Sequence, residues 1–296
     1  MNVIKFIGGK MIDLHTHTTY SDGTWNVKEL LINASKAGVT ILSITDHDSV
    51  DAHIELKSNN YSDFFSNKII TGCEFSCVYN NIKIELLGYD FDVEQMNLWL
   101  QKNYSKNQEE NLKKEFELLI SLCKKNNLKI DEVNYEPRMG WPVDCIYESI
   151  VKYPENRRKF KEKELNDINY FFRCCTCNID FPLYLDFSFL YPNAKDVSDC
   201  IRKLGGKVFL AHLYKYPLSN HKEYLDSLVK NNIIDGVEVY YSKFSDEQIE
   251  FLENYCKNHK LLMSGGTDCH GDKDSKRKIG IGYGNMNISE DIVNWL

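Results

Sequence analysis

Residues 11–48 read MIDLHTHTTYSDGTWNVKELLINASKAGVTILSITDHD, and this stretch decides the fold class. Residues 11–15 form a short, mainly apolar run suited to a strand, which leads into a loop through Ser21-Asp22-Gly23. From about 26 to 37, Val27, Leu30, Leu31 and Ala34 recur at helical spacing and Gly38 supplies a stop, which predicts a helix. Residues 39–44 then read as a buried strand. Strand, helix and strand in succession call for parallel pairing. The alternation continues outward: strands are predicted at 68–72, 82–89, 207–211, 236–240 and 260–264, and helices at 197–204, near 221–231 and at 245–258. Together these imply a mainly parallel α/β sheet, open or closed into a barrel.

Between the two alternating segments, residues 94–194 have another character. Residues 95–127 predict one or two long helices, with Leu112, Phe116, Leu119 and Leu122 on one face. Pro137, Pro142 and Pro154 follow, then a basic run at 157–163 and an aromatic, cysteine-rich stretch up to Pro192. This region is expected to be an inserted, mostly helical subdomain, with 1–93 and 195–296 forming the surrounding barrel.

The chain's 296 residues can bury a large core without disulfide staples, and 43% apolar with 27% charged residues excludes wholesale disorder. A net charge of −7 argues against holding nucleic acid by a bulk positive field, although a local basic patch is compatible with it. No apolar run is long enough to span a membrane, and Met1–Lys10 is too short an apolar stretch for a secretory signal. A cytoplasmic location without a membrane or obligate protein partner is therefore expected, with the ten scattered cysteines reduced.

The chemistry gathers at the ends of the predicted strands. His15 and His17 are two apart and project to one side, as do Asp268 and His270. Asp22 follows in a glycine turn, His47 ends the second strand within Thr45-Asp46-His47-Asp48, Glu74 ends the third, and His212 follows Ala211. Singly, each motif has an ordinary structural explanation, such as a capping turn or a surface loop. Jointly, they place five of the eight histidines beside acids on the C-terminal edge of a parallel sheet, where active sites collect. Imidazole and carboxylate in that density call for divalent cations. Asp46 and Asp48 are candidates to orient these ligands. Cys269, between Asp268 and His270, should point away and pack.

The segments HTHTTYSDG (15–23), ITDHDSVDA (44–52), GCEFS (72–76), AHL (211–213) and SGGTDCHG (264–271) resemble the successive motifs of the PHP (polymerase and histidinol phosphatase) superfamily. The likeness is nearest to the branch of nucleoside 3′,5′-bisphosphate phosphatases and 5′–3′ exoribonucleases, and covers about 11–93 and 195–296. It implies a distorted (βα)7 TIM-like barrel holding three divalent ions, commonly Mn, Fe or Zn, of which this chain is expected to keep two or three. The implied ligands are His15, His17, Asp22, His47, Glu74, His212, Asp268 and His270.

Two departures fall in or near that site. Where relatives usually carry a histidine, this chain has Glu85 in Ile84-Glu85-Leu86-Leu87-Gly88-Tyr89. Either Glu85 ligates through oxygen, favouring Mn or Fe, or one ion is weakened or lost. Where relatives often read GRPHIA, Gly140-Trp141-Pro142-Val143 lacks the arginine and the histidine. Another cation must then grip substrate phosphate, and Arg138, Lys215 and Lys243 are the candidates.

The resemblance implies a phosphoesterase that hydrolyses a nucleotide, nucleoside bisphosphate or short oligonucleotide by metal-activated hydroxide. Asp22 or Asp268 would take up the proton and His212 would assist the leaving oxygen. A histidinol-phosphate or other small-molecule phosphatase, a metal-dependent amidohydrolase and a non-catalytic binding module are the alternatives.

Overall fold

The computed structural model describes residues 11–104, 108–132 and 134–296. Met1–Lys10, on which the expected lack of an export signal rests, lies outside the described residues, as do the side chains of Gln108 and Arg138. Seven strands run in chain order through one sheet: β1 (Met11–Asp13), β2 (Val39–Ile44), β3 (Lys68–Tyr79), β4 (Ile82–Tyr89), β5 (Lys207–Leu210), β6 (Gly236–Tyr241) and β7 (Leu262–Gly266). All neighbours pair in parallel except β4, which is antiparallel to both β3 and β5. Leu14 N donates to Gly265 O at 3.1 Å and Asp268 N to His15 O at 2.8 Å, joining the last strand to the first. The sheet thus closes as a distorted TIM-like barrel in which six strands point their C-terminal ends the same way.

The helices follow the local chemistry of the chain. Helix α1 (Val27–Ala37) starts on a capping box between Asn26 and Glu29 and stops at Gly38 in the left-handed region, with Val27, Leu30, Leu31 and Ala34 buried. Helix α2 (Asp51–Ser58) follows β2. Helices α8 (Ala194–Lys203), α9 (His221–Lys230) and α10 (Asp246–His259) accompany the second half of the barrel. The interior is closed below the site by Ile12, Leu14, Ile70, Leu87, Tyr89 and Phe209, with the Tyr89 hydroxyl donating to Leu14 O at 2.9 Å.

Strand β3 departs from expectation by running on past Glu74 to Tyr79. It does so because Asn80 and Asn81, both at positive φ, turn the chain tightly into β4, and eight residue pairs then zip the hairpin. Glu74 and Glu85 consequently sit on facing strands, in mid-hairpin, and not at strand ends.

Helix α3 (Val93–Asn103) packs on the barrel's outer core through Met96 and Leu100. Helices α4 (Gln108–Lys125), α5 (Pro142–Lys152), α6 (Glu162–Asn166) and α7 (Ile168–Phe171) belong to the stretch that follows. Phe116, Leu119, Ile146, Ile150, Phe171 and Cys175 share a separate core there, touched from the barrel by Val78 at the end of β3. A single π-helical turn, Phe172–Thr176, continues α7. No helix of the described residues is long and apolar enough to cross a membrane.

Candidate metal centre

Strand β1 ends just before His15-Thr16-His17, and alternation sends both imidazoles to the same, fully buried side. Two glycines make room for this segment. A Cβ on Gly266 would stand 2.3 Å from His15 N, and one on Gly23 would stand 2.5 Å from His17 O. Asp46 fixes the loop that follows, accepting from Thr18 N at 2.7 Å, Thr18 Oγ1 at 2.6 Å and Ser21 Oγ at 2.6 Å. Asp48 instead accepts from Ser76 N at 2.7 Å and ties β3 to the end of β2. The two acids expected to orient the ligands thus hold the loop and strand around them, Asp46 through one backbone N–H and two hydroxyls and Asp48 through a backbone N–H.

All nine expected ligands lie within a few ångströms of another member of the set. Glu74 Oε2 lies 3.1 Å from His15 Nε2, 3.3 Å from His17 Nε2 and 3.3 Å from His47 Nδ1, while Glu74 Oε1 lies 2.8 Å from His212 Nε2. Asp268 Oδ1 lies 3.3 Å from His17 Nε2 and 3.6 Å from His15 Nε2. Asp22 Oδ1 lies 3.0 Å from His270 Nε2 and 3.8 Å from His47 Nε2. Glu85, the ninth, brings Oε2 to 3.2 Å from His212 Nε2. These atoms form three adjoining groups, each within 4.8 Å: His17, Asp22, His47 and His270; His15, His17, Glu74 and Asp268; and Glu74, Glu85 and His212. His17 links the first to the second, and Glu74 links the second to the third.

Backbone strain marks the same place. Asp48, His212 and Asp268 all have positive φ (52°, 26° and 57°), a conformation that costs a non-glycine residue about 1–3 kcal/mol and persists only where the surroundings impose it. For His212 the restraint is Glu238, which accepts from its backbone N–H at 2.7 Å. Glu238 also accepts from His15 Nδ1 at 2.7 Å, leaving Nε2 to face the cluster. His270 Nδ1 donates to Asp268 O at 2.9 Å with the same effect on its own ring.

Burial lowers the basicity of His17, but the Asp268 and Glu74 carboxylates outweigh it and hold its pKa up at about 9. Burial likewise opposes protonation of His15, yet Glu74, Glu238 and Asp268 raise its pKa well above the usual value. For His47 burial prevails and pulls the pKa down to about 4. Burial works against ionising Glu74 and Asp268, but neighbouring cations and imidazoles hold both well below the usual carboxylate range. The dense negative charge of the acids thus favours protons on His15 and His17, whereas burial keeps His47 and His212 less basic than usual.

The donor set fits divalent ions. His17 Nε2 and Asp22 Oδ1 are buried with no hydrogen-bond partner despite their close neighbours, as expected of atoms whose lone pairs serve a ligand. Imidazole nitrogens with monodentate carboxylate oxygens suit Mn²⁺, Fe²⁺ or Zn²⁺.

Several cations surround the centre. Lys215 Nζ lies 3.0 Å and Arg277 Nη1 2.8 Å from Asp268 Oδ2, and Lys273 Nζ lies 2.8 Å from Asp22 Oδ2. Partial burial of the Lys243 amine, then the nearby charges of Arg277 and Lys215, lower its pKa. The Arg138 side chain lies outside the described residues. The sequence reading missed Glu238, Lys273 and Arg277, together with Lys83 and Arg173, which flank Glu85 at 3.3 Å and 2.9 Å. A glutamate inside the apolar run Gly236-Val237-Glu238-Val239 was the one available sign. Cys269 is buried against the α1 side of the barrel, away from the site, and all ten cysteines are free thiols.

Beside Asp22 and His47 opens a cavity of about 520 Å³, lined also by Asp48, Tyr104, Glu115, Trp141 and Tyr191. Its far wall comes from the helical stretch between β4 and β5.

A sequence model of the PHP domain matches residues 13–164, just over half of the chain. The 5′–3′ exoribonuclease Rnm of Escherichia coli is 35% identical over 81 residues, which cover 27% of this chain and 28% of that protein. A 5′–3′ exoribonuclease of Haemophilus influenzae is 34% identical over 87 residues, 28% of this chain and 30% of its own length. The matched part is thus under a third of these relatives. Among solved structures, a candidate metal-dependent phosphoesterase from Bifidobacterium adolescentis aligns over 97% of this chain and 96% of its own, with a TM-score of 0.63 at 22% identity. An amidohydrolase from Chromobacterium violaceum, with bound sulfate and no metal, aligns over 91% and 89%, with a TM-score of 0.64 at 19% identity. At such identities the likeness is one of fold.

Proposed function

Because this chain belongs to the PHP domain family, we propose that it is a metal-dependent phosphoesterase acting on a nucleotide, a nucleoside bisphosphate or a short oligonucleotide. The observation that carries this reading is the unpartnered inner pair His17 Nε2 and Asp22 Oδ1, at the join of two ligand groups ringed by cations. The 5′–3′ exoribonuclease relatives support the nucleotide substrate class.

His15, His17, Glu74 and Asp268 would hold one divalent ion, and Asp22, His47 and His270, with His17 at the border, a second. Such ions, when bound, polarise a phosphate ester and lower the pKa of water from 15.7 to about 7. The protein's own groups do the rest. Lys215, Arg277 and Lys243 offer positive charge beside Asp268 to grip phosphate oxygens. Asp22 or Asp268 accepts the proton of the attacking water, and His212 is the group that assists the leaving oxygen. Glu238 keeps His15 and His212 in register throughout.

The insertion at 94–194 covers the mouth of the barrel and selects the substrate. The aromatic walls of the cavity, Tyr104, Trp141 and Tyr191, suit a nucleobase. An amide as the scissile bond has less support, since amidohydrolases of similar barrel often hold their ions with a carboxylated lysine and none of the strand-end motifs here supplies one. The test is a panel of phosphate monoesters, phosphodiesters and amides supplied with Mn²⁺. Phosphate release from nucleotides without amide turnover is expected; amide hydrolysis alone would overturn the proposal.

A further inference from the structure

The three carboxylates that meet external cations at this centre do so in two different ways. Asp268 gives its outer oxygen, Oδ2, to Lys215, Arg277 and the Tyr241 hydroxyl at 3.0, 2.8 and 2.8 Å. Its other oxygen, Oδ1, is left facing His15 and His17. Asp22 divides its oxygens likewise, Oδ2 to Lys273 at 2.8 Å and Oδ1 toward the imidazoles. Glu85 does not. The oxygen nearest His212, Oε2, is the one that Arg173 Nη2 binds at 2.9 Å, and Oε1 is taken by Lys83 Nζ at 3.3 Å.

We propose that Arg173, backed by Lys83, stands in place of a metal ion at the Glu74–Glu85–His212 group, so that this chain binds two ions and not three. The inference rests on the reading of the other two groups as ion sites. Each of those groups contains a buried inner atom left without a partner, His17 Nε2 or Asp22 Oδ1. Buried atoms without a partner also occur at the third group, His212 Nδ1 and Arg173 Nη1, but the atoms that meet there satisfy one another: Glu74 Oε1 accepts from His212 Nε2 at 2.8 Å and Glu85 Oε2 accepts from Arg173 Nη2 at 2.9 Å. A dication there would meet a guanidinium that cannot lose its proton, bound to the very oxygen it needs.

Neither cation is free to leave. Arg173 lies against the rings of Phe172 and Tyr216, both 5.6 Å from its guanidinium carbon. Lys83 is buried between Tyr191 and Phe172, with its nitrogen 5.0 and 5.5 Å from their centres. The π-helical turn that carries Arg173 belongs to the insertion, so the insertion contributes a fixed positive charge to the barrel's site. A guanidinium neutralises Glu85 and stays put under chelation, whereas an ion would be lost.

The test is the number of metal ions per chain, measured by mass spectrometry after dialysis of the 296-residue protein against excess Mn²⁺. Two ions are expected for the wild type and three for the double variant Glu85→His/Arg173→Gln, which exchanges the ion pair for a neutral nitrogen ligand. Three ions in the wild type, or two in a folded double variant, would overturn the inference while leaving the phosphoesterase reading intact. No bound ion in the wild type would overturn both. The wild-type count decides the matter even if the variant does not fold.

Discussion

Glu238 accepts from the His15 imidazole at 2.7 Å through one oxygen and from the His212 backbone at 2.7 Å through the other. One buried carboxylate thereby holds the ring of His15 and the backbone of His212, residues of two separate groups. Replacing Glu238 with Gln turns one acceptor into a donor, so one of these bonds is lost. Mn²⁺ affinity is expected to fall about 10–100-fold, as is usual when a partner behind a ligand is removed. Isothermal titration checks this, and unchanged affinity would count against a supporting role for Glu238.

Gly266→Ala tests the close approach between β7 and His15. The added methyl would stand 2.3 Å from His15 N and 2.5 Å from His15 Cβ, both atoms held by the barrel closure. Overpacking of this kind costs about 1–3 kcal/mol. A lower melting temperature together with weaker Mn²⁺ binding is expected; a variant matching the wild type in both would show the contact to be yielding.

Glu115 gives stability a pH dependence. Burial pushes its carboxyl pKa from 4.5 up to about 7, and Glu115 is only 5% exposed. The folded state therefore holds the proton more tightly than the unfolded chain. Its contribution is fully present below pH 4.5 and is lost as pH rises toward 7 and above, an effect on the order of 3 kcal/mol. Glu115→Gln should accordingly stabilise the protein more at pH 8 than at pH 5 in urea titrations. An equal gain at both values would refute the shift.

Trp141 is 46% exposed and lines the cavity next to Asp22 and His47. If a base stacks there, Trp141→Ala should raise KM for nucleotide substrates, stacking being worth about 1–3 kcal/mol per base. KM for an aryl phosphate too small to reach it should change little. Equal effects on the two substrates would remove the stacking role.

Much of this centre was legible because strands impose order on sequence. Alternation alone predicts that His15 and His17 share a side, and barrel closure brings that pair to Asp268 through the Asp268 N–His15 O bond. Residues tied to no spacing stayed hidden. Glu238 is a single acid in an apolar strand, and nothing local reveals that its neighbours are two histidines that follow β1 and β5. Arg173 comes from a π-helical turn whose position depends on how Phe171 and Cys175 pack in the second core, a tertiary matter. The length of β3 was misjudged because an Asn80-Asn81 turn signals a hairpin only once both residues adopt positive φ. Asp46 meets no imidazole directly, because the Thr18 N–H and the Thr18 and Ser21 hydroxyls reach it first, and only Ser21 Oγ passes on to His17 Nδ1 at 3.5 Å.

The central claim is that His15, His17 and their neighbours hold ions that make a phosphate ester hydrolysable. The most direct measurement is phosphate release from a nucleoside bisphosphate by protein that has been stripped with chelator and then given back Mn²⁺, alongside the His15→Ala/His17→Ala variant. Activity should vanish on stripping, return with Mn²⁺ in the wild type and fail to return in the variant. Full activity in the stripped protein or in the variant would contradict the account.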